Sequence, residues 1–323
     1  MNPSRPPLTR SATDPWAWSP PTPGRIERPV TLLRVEGADT RQFLHGQTSQ
    51  AIESAQPGQW LRTCCITPTA RMRALAEVLV DEEGAWLVIS AGDGSLVRES
   101  LDRVLFPADR VRLGPLKDAL WIQPVDGGVS HPTDRWTTWE GGDGWWLGES
   151  LLVREPGACP AEMDRRRPLT ARELERWRIQ RGWPAAPMEI NVDTNPFELG
   201  RTQRVHLAKG CYVGQETLAK LATYDGVRRQ LRRWHCPQGA IDLGENVASG
   251  QVLRDEVGER AGQITSSLPL GEEGWIGLAL VRRGWLHEPQ LLAGEAATAV
   301  EVSVSIPDEF EPPPVGPGGS GQG

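Results

Sequence analysis

Apolar and polar positions fall along the chain in a pattern that predicts many short strands and few helices. The run VTLLRVEG, residues 30–37, reads as a strand, and ADTRQFLHGQ after it as a helix entered at Asp39 and Thr40 and closed near Gly46. LAEVLVD and GAWLVIS are apolar runs split by the turn residues Asp81 to Gly84, which is the pattern of a hairpin. Residues 95–105 then carry helical spacing through Leu96, Val97, Leu101 and Val104. VRLGPL, ALWIQPV, WTTWE and GWWLGE predict further short strands, with turns at Asp126-Gly127-Gly128 and Gly141-Gly142-Asp143. The segment TARELERWRIQRGWP is a marked helix, with Thr170 as N-cap, Glu173 in the capping-box position, and Gly182 and Pro184 as its stop. After Trp234 come short apolar runs at glycine-rich intervals, ENVASGQVL, RAGQITSS, GWIGLALV and AVEVSVSI, which predict a small antiparallel barrel.

Both ends have a different texture. Residues 1–24 and 307–323 are rich in Pro, Ser, Thr or Gly and hold too few apolar groups to offset the entropy of ordering, so both are expected to be mobile. Trp16 and Trp18 are the exception in the leader and are expected to dock on the folded body. At 323 residues the chain is long enough for two or three domains with substantial cores. Its net charge of -7 argues against general nucleic-acid binding, which needs a broad basic surface. No stretch approaches the ~18 apolar residues of a membrane span, and the leader has no apolar signal core, so a cytoplasmic protein, cytosolic or plastid-like stromal, is expected. Five cysteines without CxxC or Cys/His spacing point to reduced thiols and to neither a disulfide framework nor a metal site. Cys64 and Cys65 sit in an apolar run and read as core.

One segment breaks the composition. Of 35 basic residues only Lys117, Lys209 and Lys220 are lysine, and 209–224 holds two of them together with both tyrosines, Tyr212 and Tyr224. A lysine kept where arginine is the default suggests a role for a compact ammonium of shiftable pKa. Val213 to Leu221 reads as a helix, with Gly210 and Gly214 giving permissive backbone at its entrance. Cys211 would then lie by a helix N-terminus beside Lys209, a setting that favours a reactive thiolate; the competing reading is a small buried hydrophobe. Gln215 and Glu216 fall on the first turn, where Glu216 serves a ligand or forms an ion pair with Lys220 four residues on.

KGCYVGQE, residues 209–216, resembles the KGCYxGQE signature of the YgfZ-type folate-binding proteins, relatives of the glycine-cleavage T-protein, an aminomethyltransferase. ADTRQFLHGQ, RIQRGWP, NPFELG and the late GQITSS and GWIGLALV are similar to further elements of that family, so the likeness spans about residues 28–306. The resemblance implies an α+β, three-lobed aminomethyltransferase-like body. Two interleaved lobes over 25–234 would form the folate-binding region, and a C-terminal antiparallel β-barrel would occupy 235–306. It implies tetrahydrofolate as cofactor, iron-sulfur proteins or their assembly machinery as partners, and support of iron-sulfur enzymes, among them those that modify tRNA. Cys211 and Lys209 would be the chemical residues, with Gly210, Tyr212, Gly214, Gln215 and Glu216 completing the signature. Trp177 and Arg178 would stack on the folate ring and hold its negative tail, although Trp177 reads equally as a core residue one turn from Leu174.

Two departures from the family matter. The aspartate that assists aminomethyl transfer is missing from PTARMRALAE, where Ala74 takes its place, and the folate-reading glutamate is replaced by Gln180. The first disfavours aminomethyl transfer, since losing an acid/base partner costs ~10²- to 10⁴-fold. The second implies weakened folate binding, by about 1 to 3 kcal/mol for a lost charged hydrogen bond. A folate sensor or scaffold without chemistry is the third reading.

Overall fold

In the computed structural model the described residues are 14–126, 134–154, 159–237, 247–295 and 299–314. The turn expected at 126–128, and parts of the leader, of the tail and of ENVASGQVL, lie outside them. A sheet of nine strands occupies the first half: β1 Gly24–Glu36, β2 Trp60–Ile66, β3 Met72–Val80, β4 Gly84–Gly92, β5 Arg112–Pro124, β6 Trp136–Thr138, β7 Gly144–Leu147, β8 Ser150–Val153 and β9 Arg167–Pro168. Their order is β2-β3-β4-β1-β5-β8-β7-β6, with β9 parallel to the start of β1. The helices are α1 Thr40–Gln47, α2 Gly94–Asp102, α3 Ala161–Asp164, α4 Ala171–Arg181 and α5 Gln215–Thr223. The second half closes as a six-stranded antiparallel barrel of β10 Arg229–Cys236, β11 Val252–Arg254, β12 Arg260–Pro269, β13 Trp275–Arg282, β14 Gln290–Ala293 and β15 Val300–Ser305, in the order β10-β13-β12-β11-β14-β15.

Local sequence accounts for the element ends. Thr170 accepts from Glu173 N and the Glu173 carboxylate accepts in return from Thr170 N, so the capping box on α4 is complete. Gly182 then takes a left-handed φ of 69°, and α4 stops. VRLGPL and ALWIQPV, expected as two strands, form the single β5. A bulge between Leu33 and Val35 of β1 absorbs Gly114 and Pro115, so the proline falls where the ladder is already irregular. The barrel begins at Arg229 rather than 235, because the arginine-rich RQLRRWHC alternates. Trp234 and Cys236 point into the barrel core, while Arg233 and His235 lie on the outer side.

β3 is buried on both faces. Ala74, Ala76, Val78 and Val80 pack with Leu33, Leu44 and Leu101 into the core beneath α1 and α2. The other face carries Leu75, Glu77 and Leu79 and looks toward the middle of the molecule. There a second core of Cys64, Leu75, Ile179, Phe197, Leu218, Leu231 and Leu278 joins the sheet, α4, α5 and the barrel. The barrel has its own core around Trp234, and Gly277 is needed beside it because a Cβ there would stand 1.9 Å from the Ser266 carbonyl oxygen.

The two end segments correct the composition-based expectation. Trp16 packs on the second core, its carbonyl accepts from Gln180 Nε2 at 2.9 Å, and Arg233 lies 4.5 Å from its ring. Arg176 holds Trp18 at 5.1 Å, as the leader's docking expectation requires. At the other end, residues 307–312 run over α4 and residues 200–203: Glu309 N donates to Arg181 O, Glu311 N to Gly200 O, and Phe310 sits where a Gly200 side chain would be. One aromatic anchor and backbone bonds order this proline-rich stretch, and neither shows in its composition.

Candidate functional site

A cavity of about 420 Å³ lies between the sheet, α4 and the 307–311 segment. That volume lies within the ~300–1,000 Å³ usual for small-molecule sites. At its centre is Trp183, in the turn that ends α4. Arg28 from β1 and Arg201 each place their guanidinium carbon 4.9 Å from its ring, and Arg204 does so at 5.5 Å. Arg28 also stands over Trp121 and Trp177, at 5.6 and 5.8 Å. The indoles thus cage a guanidinium by cation–π contact.

The cavity charges are unevenly paired. Arg204 is fully engaged, donating to Glu77 Oε1 at 2.9 Å and to the Ala76 carbonyl at 3.1 Å. Arg201 donates to the carbonyls of Gly182 and Glu309. Arg28 Nε and Nη1, Arg201 Nε, Glu77 Oε2, Trp60 Nε1 and Trp121 Nε1 are shielded from solvent and have no hydrogen-bond partner among the described residues. Deep in the cavity three guanidiniums crowd one carboxylate, while the whole lining, which adds Arg62, Asp308, Glu309 and Glu311, balances four cations against four anions. Burial lowers the Arg28 pKa, and burial followed by Arg204 repulsion brings Arg201 down to about 10. At the rim Asp308 pairs with Arg233 and Glu309 with Arg181. An anionic planar ligand would relieve the crowding of like charge and partner the bare donors.

Of the three α4 candidates only Trp177 lines this cavity. Arg178 is turned the other way: it binds Glu175, the buried Glu189, Ser266 of β12 and the Trp183 carbonyl. It is an internal strut and does not line the cavity. Gln180 donates its amide nitrogen to the Trp16 carbonyl, leaves Oε1 buried without a partner among the described residues, and lies outside the cavity wall. The helical period turns 178 about 100° away from 177, whereas 180 lies only about 60° from 177 and is drawn aside by its bond to the Trp16 carbonyl.

The 209–216 segment lies apart from the cavity, and none of its residues lines it. Lys209 Nζ donates to the His45 carbonyl at the end of α1 and stands 4.3 Å from the Tyr212 ring centre. His45 Nδ1 accepts from Glu53 N, which leaves Nε2 to donate to the Lys209 carbonyl at 2.8 Å. Tyr212 is buried, and burial pushes its hydroxyl up to about 12. Gly214, at φ 81°, caps α5 where a Cβ would stand 2.8 Å from Ile66 and 2.9 Å from the Thr67 carbonyl oxygen. Gly210 takes φ 97° in open space. Gln215 opens α5, and Glu216 is exposed and paired with Lys220 at 2.7 Å. Cys211 is exposed, four residues ahead of α5, and no hydrogen bond reaches its sulfur among the described residues. The thiol precedes the cap residue Gly214 by three positions and so lies outside the first turn of α5.

Desolvation brings the Lys209 ammonium down to about 8, with the nearby Glu53 opposing. The folded value lies below the unfolded one, so the charged form costs folding energy below pH 8. That cost falls away as pH rises from about 8 toward 10.5, and this group's contribution to stability rises across that window. With three lysines in the chain, dimethyl-lysine NMR should show one resonance titrating near pH 8 and absent from Lys209→Arg. Titration of that resonance near 10.5 would contradict the buried placement.

A wider groove of about 910 Å³ opens between the α5–β10 turn and the barrel, lined by Arg71, Arg228 and Arg282 among others. It is the larger hollow, but among the described residues none of its lining side chains has a buried polar atom left without a hydrogen-bond partner, so the smaller cavity is the better candidate. Sequence reading missed Arg28, Glu77, Trp183 and Arg204. The available signal was a lone acid in the apolar run MRALAEVLV.

No protein-family profile matches the chain. In sequence it is 27% identical over 262 residues to the Arabidopsis thaliana protein named "Putative transferase At1g60990, chloroplastic", a match over 72% of this chain and 59% of that protein. The chain therefore spans under two thirds of that relative's length. In structure it superposes on the glycine cleavage system aminomethyltransferase T from Bartonella henselae with a TM-score of 0.66 at 18% identity, over 89% of this chain and 87% of that one. The fold is aminomethyltransferase-like. No helix among the described residues is long and apolar enough to cross a membrane.

Proposed function

We propose that this protein binds a reduced folate in the central cavity and serves as an accessory factor to iron-sulfur enzymes, in the manner of the YgfZ-type proteins. The observation that carries the reading is the set of three guanidiniums around Trp183 with bare donors on Arg28 and Arg201. Tetrahydrofolate fits that wall: indole faces suit a flat ring, and the bare Arg28 and Arg201 donors suit its ring and carboxylate acceptors. Bound there, it would supply the nitrogens that carry one-carbon units. This chain's residues would hold and orient it, with Trp177 and Trp183 flanking the ring, Arg201 donating, and Phe310 and its neighbours shielding the mouth. Titration with tetrahydrofolate should quench tryptophan emission with one saturable site, and absence of saturable quenching would remove the folate reading.

The exposed Cys211 supports the partner-facing half of the proposal, since its sulfur is open to another protein. Cys211→Ala is expected to fold normally and to lose rescue of iron-sulfur enzyme activity in a cytoplasmic host lacking its own factor. Full rescue would show that the thiol has no such role. Likeness to an aminomethyltransferase favours a second reading, glycine-cleavage transfer. Ala74 speaks against it, because it is wholly buried in the core beneath α1 and α2 and offers no carboxylate. Tetrahydrofolate-dependent ammonia release from an aminomethylated lipoyl carrier is accordingly expected to be absent at micromolar protein.

A further inference from the structure

Glu77 is the one charged residue inside β3 beyond Arg73, and it is 2% exposed. Strand alternation puts it between Leu75 and Leu79 on the face toward the cavity. Its Oε1 is held by Arg204, which the Thr63 and Ala76 carbonyls fix in turn, while Oε2 has no partner. Arg28 presents the complement, with Nε and Nη1 bare and its plane held by three indoles. The two groups line one cavity and feel each other's charge, yet they form no ion pair with each other. Opposite charges buried in one hollow would close on each other unless other bonds held them apart. Arg204 holds Glu77 back and the tryptophans hold Arg28 back, so the gap between them is built into the fold.

We infer that the gap between Glu77 and Arg28 is the subsite that reads the ligand's heterocyclic edge. Glu77 Oε2 accepts from a ring N–H or exocyclic amino group, and Arg28 donates to the carbonyl or ring nitrogen beside it. The matching chemical class is a planar lactam or amidine edge with donor and acceptor adjacent, such as a 2-amino-4-oxo pteridine. This rests on the cavity-binding reading above and adds which residues give it selectivity. It also accounts for Gln180, whose position needs no carboxylate when Glu77 supplies one from the sheet.

The test is tetrahydrofolate binding by the full chain and by two variants, Glu77→Gln and Arg28→Met. Each is expected to weaken binding by about 10- to 100-fold, the range for one charged hydrogen bond. Arg28→Met leaves the Glu77–Arg204 pair intact and decides the question if Glu77→Gln fails to fold. A second readout separates edge-reading from structural damage. The wild type should prefer tetrahydrofolate over its 4-amino-4-deoxy analogue by about 10-fold or more, because the exchange sets an amino group against the Arg28 donors. Arg28→Met should remove most of that preference. If the wild type binds tetrahydrofolate and the folded variants bind it equally well, or if the preference survives Arg28→Met, the edge-reading inference is overturned and the cavity reading stands. If the wild type binds no tetrahydrofolate, the cavity reading itself fails and this subsite with it.

Discussion

Glu189→Ala should lower stability by about 3 kcal/mol, toward the lower end of the cost of breaking a buried ion pair. In a chain of this size that is a fall in melting temperature on the order of 5 °C. Glu189 is fully buried, and its two oxygens accept from Ala185 N at 2.9 Å, Arg178 Nη1 at 3.2 Å and the Ser266 hydroxyl at 2.6 Å. Removing it strips Arg178 of one counter-charge and frees the Ser266 hydroxyl. Glu175 remains on Arg178, which holds the loss to the lower figure. Because this network ties α4 and the turn after it to barrel strand β12, Trp177 and Trp183 should lose their alignment as well. Glu189→Gln keeps the shape and is expected to cost less. Thermal melting of the two variants checks this, and an unchanged midpoint in Glu189→Ala would contradict the strut assigned to Arg178.

Trp183→Ala should abolish measurable tetrahydrofolate binding, a loss beyond about 100-fold, while Trp183→Phe keeps most of it. The indole is the common face for Arg28, Arg201 and Arg204, and each such contact is worth roughly 0.5 to 2 kcal/mol. Without it three like charges face one another across an emptied hollow, and the ligand loses its stacking surface. Truncating a half-buried tryptophan also removes packing worth up to about 3 kcal/mol, so affinity should be measured at a temperature where the variant is folded. Binding within about 3-fold of wild type would place the ligand elsewhere.

The hairpin at 81–84, the capped α4 and the barrel were legible because each is specified within a dozen residues, by turn glycines, a Thr-x-x-Glu box and short alternating runs. The cavity was not. Arg28, Glu77, Trp183 and Arg204 come from β1, β3, a helix-ending turn and a short 3₁₀ turn, and only tertiary packing brings them to one place. Compositional rarity drew attention to 209–224 instead, where Lys209 is committed to His45 and Tyr212, and Glu216 to Lys220. Gly214 there answers a steric demand from the β2–β3 turn. The rarity of those residues thus reflects in part how the segment seats α5 on the sheet, with the thiol of Cys211 left at the surface.

The most direct test of the account is a structure of the protein with tetrahydrofolate bound. The pteridine should lie inside the 420 Å³ cavity beside Trp183, with its edge between Glu77 and Arg28. Pteridine density in the arginine-lined groove beside the barrel, with the central cavity empty, would contradict it.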